Sequence, residues 1–192
     1  MNLLFRTDAS VQIGTGHVMR RLALAQAWQD AGGRAMFAMA ETTPAVWARL
    51  EAESCDVLSV SCDAGTAEDS LKTIALAREK SADWIVVDGY QFRADYQRAL
   101  KAAGCKILFV DDYGHAAHYS ADLVLNQNAG AEAQLYVHRE SHTRLLLGPR
   151  YCLLRREFSS WRNWKREIPQ ACRQLLVMMG GSDADNLTAR VI

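Results

Sequence analysis

Short apolar runs alternate with stretches of helical periodicity from the second residue onward, and that alternation leaves the chain few folds to adopt. Candidate strands are Asn2–Thr7, Arg34–Met39, Asp56–Val60, Asp83–Asp88, Lys106–Val110, Asp122–Leu125, Arg144–Leu147 and Gln174–Met179. Between them, Val18, Leu22, Ala25 and Trp28 recur on one face of a first helix that Gly32-Gly33 ends. Thr66 followed by Asp69 has the form of a capping box for a helix running to about Lys80. Ala94–Ala103 repeats the pattern and stops at Gly104. Strands that alternate with helices build right-handed βαβ units. The expected fold is therefore α/β, a Rossmann-like parallel sheet with helices on both faces. Ligands of such sheets bind beyond the carboxyl ends of the strands. Here those ends carry Asp8, Asp88, Asp111 with Asp112, Asn126 and Gly180-Gly181.

The first of these ends opens into Gly14-Thr15-Gly16-His17, a glycine-rich turn with a histidine on the first turn of a helix. Glycines let backbone approach an anion closely, and the positive end of the helix dipole favours its charge. The stretch nearly matches the dinucleotide fingerprint G-x-G-x-x-G, but Met19 stands where the third glycine belongs, which weakens a nicotinamide-binding reading. Glu41, after the second strand, is the residue that would serve as the ribose-binding acid in that reading. His17 has two readings. It is a solvated, turn-capping histidine, or it is a base, since a helix N-terminus disfavours the charged imidazolium while a bound phosphate pulls the other way.

Charge and cysteine usage exclude several classes. The 22 basic residues balance 22 acidic ones, so no net field draws the chain to nucleic acid or to an acidic membrane surface. Its longest apolar runs, such as Leu175–Met179, are of strand length, too short to span a membrane. The chain enters its first strand with no signal-peptide pattern. Cys55, Cys62, Cys105, Cys152 and Cys172 are odd in number and form no C-x-x-C pair, which predicts reduced thiols and a cytoplasmic setting. His138 and His142 sit four residues apart without a nearby third ligand, so no metal site is expected, and His115 and His118 read as loop residues.

The C-terminal part changes character. After a helical stretch over Leu153–Lys165, Pro169 breaks the chain and a new strand leads to Gly180-Gly181-Ser182-Asp183 and a short helix start. The expected division is residues 1–168 as the N-terminal domain and 169–192 as the beginning of a second α/β domain. Leu154, Phe158 and Trp161 form an aromatic stripe read as a packing face between the two.

Several segments together resemble one family. They are Arg6-Thr7-Asp8-Ala9-Ser10, Gln12-Ile13-Gly14-Thr15-Gly16-His17, Val87-Asp88-Gly89-Tyr90, Asp111-Asp112 and Asp122–Asn128. Leu147-Gly148-Pro149-Arg150-Tyr151, Leu154-Arg155 with Glu157-Phe158, and Met179–Asp183 continue the set in the same order. The pattern is similar to the UDP-sugar hydrolases of pseudaminic acid biosynthesis, which act on UDP-2,4-diacetamido-2,4,6-trideoxy-β-L-altropyranose, and to spore-coat polysaccharide proteins. The resemblance implies the N-terminal half of a two-domain glycosyltransferase-like fold of the GT-B type. It implies cleavage of the anomeric C–O bond with inversion, without metal or cofactor, by a protein that is monomeric or weakly oligomeric.

Within that resemblance His17 is the base that activates water and Tyr90 lies in the active site. Asp8, Gly14, Thr15, Gly16, Arg155, Gly180, Gly181 and Ser182 are the expected substrate-binding residues, with Asp8 orienting His17 or, preferably, holding the loop. Residues that grip uracil and ribose are expected beyond Ile192, so the chain by itself is expected to show little turnover. Asn126 and Asn128 are expected to satisfy backbone in a turn. A GT-B-type glycosyltransferase, or a non-catalytic nucleotide- or NAD-binding domain, are the alternative functions.

Overall fold

A computed structural model describes residues 1–10, 12–177, 183 and 186–192. Seven strands form one parallel sheet: β1 (Asn2–Arg6), β2 (Arg34–Met39), β3 (Asp56–Ser59), β4 (Trp84–Asp88), β5 (Ile107–Val110), β6 (Leu123–Asn126) and β7 (Arg144–Leu147). Their spatial order is β3-β2-β1-β4-β5-β6-β7. The chain therefore runs outward from β1 to β3, returns across the sheet, and builds the other half from β4. β1 and β4 lie side by side, with Leu3 opposite Trp84 and Arg6 opposite Val87. The expected strands match to within a residue at each end, except the eighth. Gln174–Val177 carries no ladder, with Leu175 and Leu176 well exposed, and Met178 and Met179 lie outside the described residues.

Helices cover both faces, as expected. Strand side chains alternate, so each strand feeds two cores. Leu3, Phe5, Phe37 and Val86 pack against Val18, Leu22 and Ala25 of α1 (Gly16–Asp30) and Val46 and Leu50 of α2 (Pro44–Ala52). Leu4, Met36, Ile85 and Val87 pack against Ile74 and Ala77 of α3 (Ala67–Glu79) and Tyr96 and Leu100 of α4 (Ala94–Ala102). The helix α2 is not among those named from the sequence, although Thr43-Pro44 carries its start signal. The Thr43 hydroxyl accepts the Val46 N–H at 3.3 Å, and proline fits the first helical position.

The capping box at α3 forms by half. Thr66 accepts the Asp69 N–H at 3.2 Å, but the Asp69 carboxylate turns to the Gly65 N–H and to Arg6 instead of closing the box. Arg6 is fully buried. Its guanidinium donates to Asp69 at 2.8 and 2.9 Å and to Asp8 at 2.7 Å, and it lies over the Phe92 ring. Burial opposes this charge, yet the two carboxylates outweigh burial and raise the guanidinium pKa further.

The helix expected over Leu153–Lys165 is a 3-10 segment, Arg156–Trp161. Leu154, Phe158 and Trp161 are 66%, 47% and 58% exposed, so the stripe is not buried among the described residues. Arg156 ties the segment to α1, its N–H donating to Gln26 at 2.7 Å and its guanidinium pairing with Asp30 at 2.8 Å. A helical turn, α5 (Thr188–Val191), lies near the end of the sequence.

Candidate active site

The strand order places a crevice where β1 and β4 part, because the connections that leave these neighbours lead to opposite halves of the sheet. From β1 the chain enters the glycine loop and then α1. From β4 it ends at Asp88 and continues through Gly89-Tyr90-Gln91. Gly14 has φ +77° and its N–H donates to the Ser10 carbonyl at 2.8 Å, a left-handed turn that glycine adopts without strain. Gly16 has no such conformation, and a side chain built there would meet nothing within 4 Å. The chain's own packing thus gives no reason for a glycine at the helix start. Thr15 precedes α1 without a side-chain cap hydrogen bond, so no capping hydroxyl takes up the first-turn N–H groups.

His17 is the second residue of α1 and only 8% exposed. Its Nδ1 lies 2.9 Å from Asp88 Oδ1. A carboxylate partner selects the tautomer that carries its proton on Nδ1, which leaves Nε2 as the basic nitrogen. Asp88 belongs to the α1 face because it follows Val86 by two residues. Burial alone would raise its pKa. The Arg21 guanidinium, with Nε 3.1 Å from Asp88 Oδ2, and the His17 hydrogen bond outweigh burial and hold the carboxyl below its ordinary range.

Tyr90 stands edge-on to His17, ring centroids 5.2 Å apart. Its hydroxyl donates to Asp112 at 3.0 Å. Partial burial and the Asp112 carboxylate push the phenol up to about 12, so Tyr90 stays a neutral donor. Asp112 also receives both terminal Arg20 nitrogens, at 3.0 and 3.3 Å, and the Asn128 amide at 3.1 Å. Asn128 thus reaches the site's rim, whereas Asn126 satisfies the Asn128 N–H and the Tyr136 hydroxyl, as expected of a turn residue.

His17, Asp88 and Tyr90, with Asp8, Gln12, Ile13, Gly89 and Gln91, line a cavity of about 220 Å³. That is below the roughly 300 Å³ of a typical small-molecule pocket, yet several times the roughly 30 Å³ of one water. It has room for water and part of a ligand.

The other expected site residues fall as follows. Asp8 does not orient His17. Its Oδ1 accepts Arg6, the Ala40 N–H at 2.7 Å and the Glu41 N–H at 3.2 Å, so it clamps the turn after β2 and makes no bond to the glycine loop among the described residues. Asp88 does the orienting. Arg155 is not brought to this cavity. It pairs with Glu157 at 3.4 Å beside the far flank of α1, in a cleft with Ala23, Gln26 and Asp30. Gly180, Gly181 and Ser182 lie outside the described residues.

The sequence places Asp88 and Asp112 at strand ends and Gln12 in the loop motif without giving them roles, and it singles out neither Arg20, Arg21 nor Gln91. One signal was present: Arg21 follows His17 by four residues and lies within the stripe of Val18 and Leu22, an unusual place for an arginine. His138 and His142 lie outside any helix and are exposed, so their spacing brings no rings together on one helical face. His115, in the loop after β5, is pinned by Asp111 and the Phe92 carbonyl, and His118 pairs with Glu140 at 3.0 Å. Among the described residues no group of three or more His, Cys, Asp or Glu side chains is arranged to hold a metal ion. No described helix is long and apolar enough to cross a membrane.

No protein-family model matches the chain. Over its whole length the chain is 31% identical to the UDP-2,4-diacetamido-2,4,6-trideoxy-beta-L-altropyranose hydrolase of Campylobacter jejuni and 27% identical to the uncharacterized protein MJ1062 of Methanocaldococcus jannaschii. It spans 64% and 39% of the lengths of these two relatives. Among solved structures, Anabaena Alr3699/HepE in complex with UDP-glucose superimposes with a TM-score of 0.55 at 18% identity, covering 76% of this chain and 43% of that one. These likenesses bear out the α/β, Rossmann-like fold.

Proposed function

We propose that this chain supplies the water-activating half of an enzyme that hydrolyses a UDP-activated 2,4-diacetamido-2,4,6-trideoxy sugar. The observation that carries the reading is the His17–Asp88 pair, seated at the β1/β4 crevice beside a cavity with room for water and part of a sugar. The match to a relative named for that reaction, over all of this chain and 64% of that protein, supports the substrate class.

Ordinary glycosidases need a carboxylic acid to protonate a poor leaving group and a second carboxylate beside it. UDP leaves readily, so one base suffices. Nε2 of His17 takes a proton from water, the water oxygen bonds to the anomeric carbon from the face opposite UDP, and the C–O bond to the diphosphate breaks with its electron pair. The products are UDP and the free sugar with inverted configuration, and no step calls on a metal. Asp88 stabilises the imidazolium that forms. Thr15 and Gly16 offer backbone N–H groups to the diphosphate, Gly14 and Gly16 leave open space for it, Tyr90 walls the sugar side, and Gly180, Gly181 and Ser182 are proposed as further ligands of the same group.

General-base catalysis is worth roughly 10²–10⁴-fold, so His17→Gln should lower turnover by that factor while UDP binding persists. UDP release and NMR detection of free sugar from the intact protein test this, and near-normal turnover would remove the assignment. The same base could deprotonate an alcohol instead of water. If a sugar acceptor diverts product from the free sugar to a glycoside, the transferase reading replaces the hydrolase. Five unpaired thiols suit a reducing, cytoplasmic setting for such a step.

A further inference from the structure

We infer that Arg21, which lines no part of the cavity, is a positioning residue for His17: its buried guanidinium backs Asp88 and keeps that carboxylate charged and committed to the imidazole. The inference rests on the hydrolase reading for its catalytic consequence but not for its structural one.

Arg21 is completely buried on α1, one turn after His17, so both side chains leave the same flank of the helix. The two touch opposite oxygens of one carboxylate. His17 Nδ1 meets Asp88 Oδ1 at 2.9 Å and Arg21 Nε approaches Oδ2 at 3.1 Å. The second contact is a charge contact and not an aligned hydrogen bond. Arg21 Nε, Nη1 and Nη2, and Asp88 Oδ2, have no hydrogen-bond partner among the described residues.

A buried guanidinium with idle donors is expensive, and an apolar side chain of similar volume would serve packing better. Stability therefore does not explain this arginine. Its neighbours narrow what it does. Arg20 is matched by Asp112, which also holds the Tyr90 hydroxyl, and Asp8 is matched by Arg6. Among the described residues Asp88 is the one acid within contact of Arg21. Without the guanidinium, burial would push Asp88 toward its protonated form. A protonated Asp88 can itself donate to Nδ1, and the ring proton then moves to Nε2. That tautomer has no lone pair on Nε2 to accept a proton from water.

The test compares Arg21→Met, which removes the charge and keeps the volume, with Arg21→Lys, which restores a charge. Nitrogen-15 NMR of the His17 ring in the 192-residue chain near neutral pH reads the tautomer without any substrate. The parent and Arg21→Lys should show the Nδ1–H form, and Arg21→Met a mixture. Removing a positive charge makes the Asp88–His17 pair hold its proton to higher pH. The acid limb of the intact protein's UDP-sugar hydrolysis should therefore move up by about one pH unit in Arg21→Met and return in Arg21→Lys. An unchanged tautomer with an unmoved acid limb in folded Arg21→Met overturns the inference. If Arg21→Met does not fold, Arg21→Gln removes the charge while keeping a polar side chain beside Asp88, and a retained Nδ1–H form with an unmoved acid limb there overturns the inference equally. Full turnover in His17→Gln would instead sink the hydrolase reading and leave the NMR result to decide the role of Arg21.

Discussion

Two buried charge clusters sit at the ends of adjacent strands and differ in how completely they are satisfied. At β1, Arg6 is gripped by Asp69 through two nitrogens and by Asp8 through a third, and Thr73 and Tyr96 also donate to Asp69. At β4, Asp88 holds His17, but one of its oxygens and all the Arg21 nitrogens lack aligned partners among the described residues. The first cluster faces α3, joins loop to sheet and touches the cavity through Asp8; the second faces α1 and lines the cavity with both His17 and Asp88. Closed networks of this kind fasten architecture, whereas an incompletely satisfied one retains charge that a reaction can use.

The comparison breaks most sharply at Arg6. Arg6→Met leaves Asp69 charged and buried, and should destabilise the chain by about 3–5 kcal/mol in denaturant unfolding. A loss below about 1 kcal/mol would mean the closed cluster is not a fastener. At the other cluster, His17→Gln should reverse the balance, with turnover down roughly 10²–10⁴-fold and stability changed by less than about 1 kcal/mol. Comparable unfolding losses in both variants would erase the distinction.

A third acid, Asp111 at the end of β5, sharpens the contrast through pH. Burial would raise its pKa, but His115, the Tyr119 hydroxyl and the Tyr113 and Gly114 N–H groups prevail and hold it at about 2. The depressed folded value means its stabilisation is present above the unfolded value of about 3.9 and is lost as pH falls toward 2. Unfolding midpoints in that window should fall more steeply with acid in the parent than in Asp111→Asn. The smallest effect is expected from Tyr90→Phe. It removes a half-exposed hydrogen bond to Asp112 and should change stability by about 1 kcal/mol or less, with turnover down less than about tenfold. A drop as large as that of His17→Gln would give the phenol a chemical role.

Most of the sheet was legible because short continuous apolar runs report burial on both faces directly, as at Arg34–Met39, where sequence and structure agree at both ends. Gln174–Val177 has the same composition but no neighbouring strand among the described residues, and a ladder needs a partner that composition does not announce. The loop and His17 were legible from glycine spacing. The identity of the carboxylate beside the imidazole was not. Asp8 is nine residues away in sequence and Asp88 seventy-one, and only the return of the chain across β1 decides between them.

That return also sets a timetable. During synthesis β1, α1, β2, α2, β3 and α3 all emerge before Trp84–Asp88 can slot in beside β1. Until this long-range closure happens, with its entropic toll of distant pairing, the imidazole has no acid to steady it. The His17–Asp88 contact is thus a late reporter of folding, and the His17 ring is a natural spectroscopic clock for when the two halves of the sheet meet.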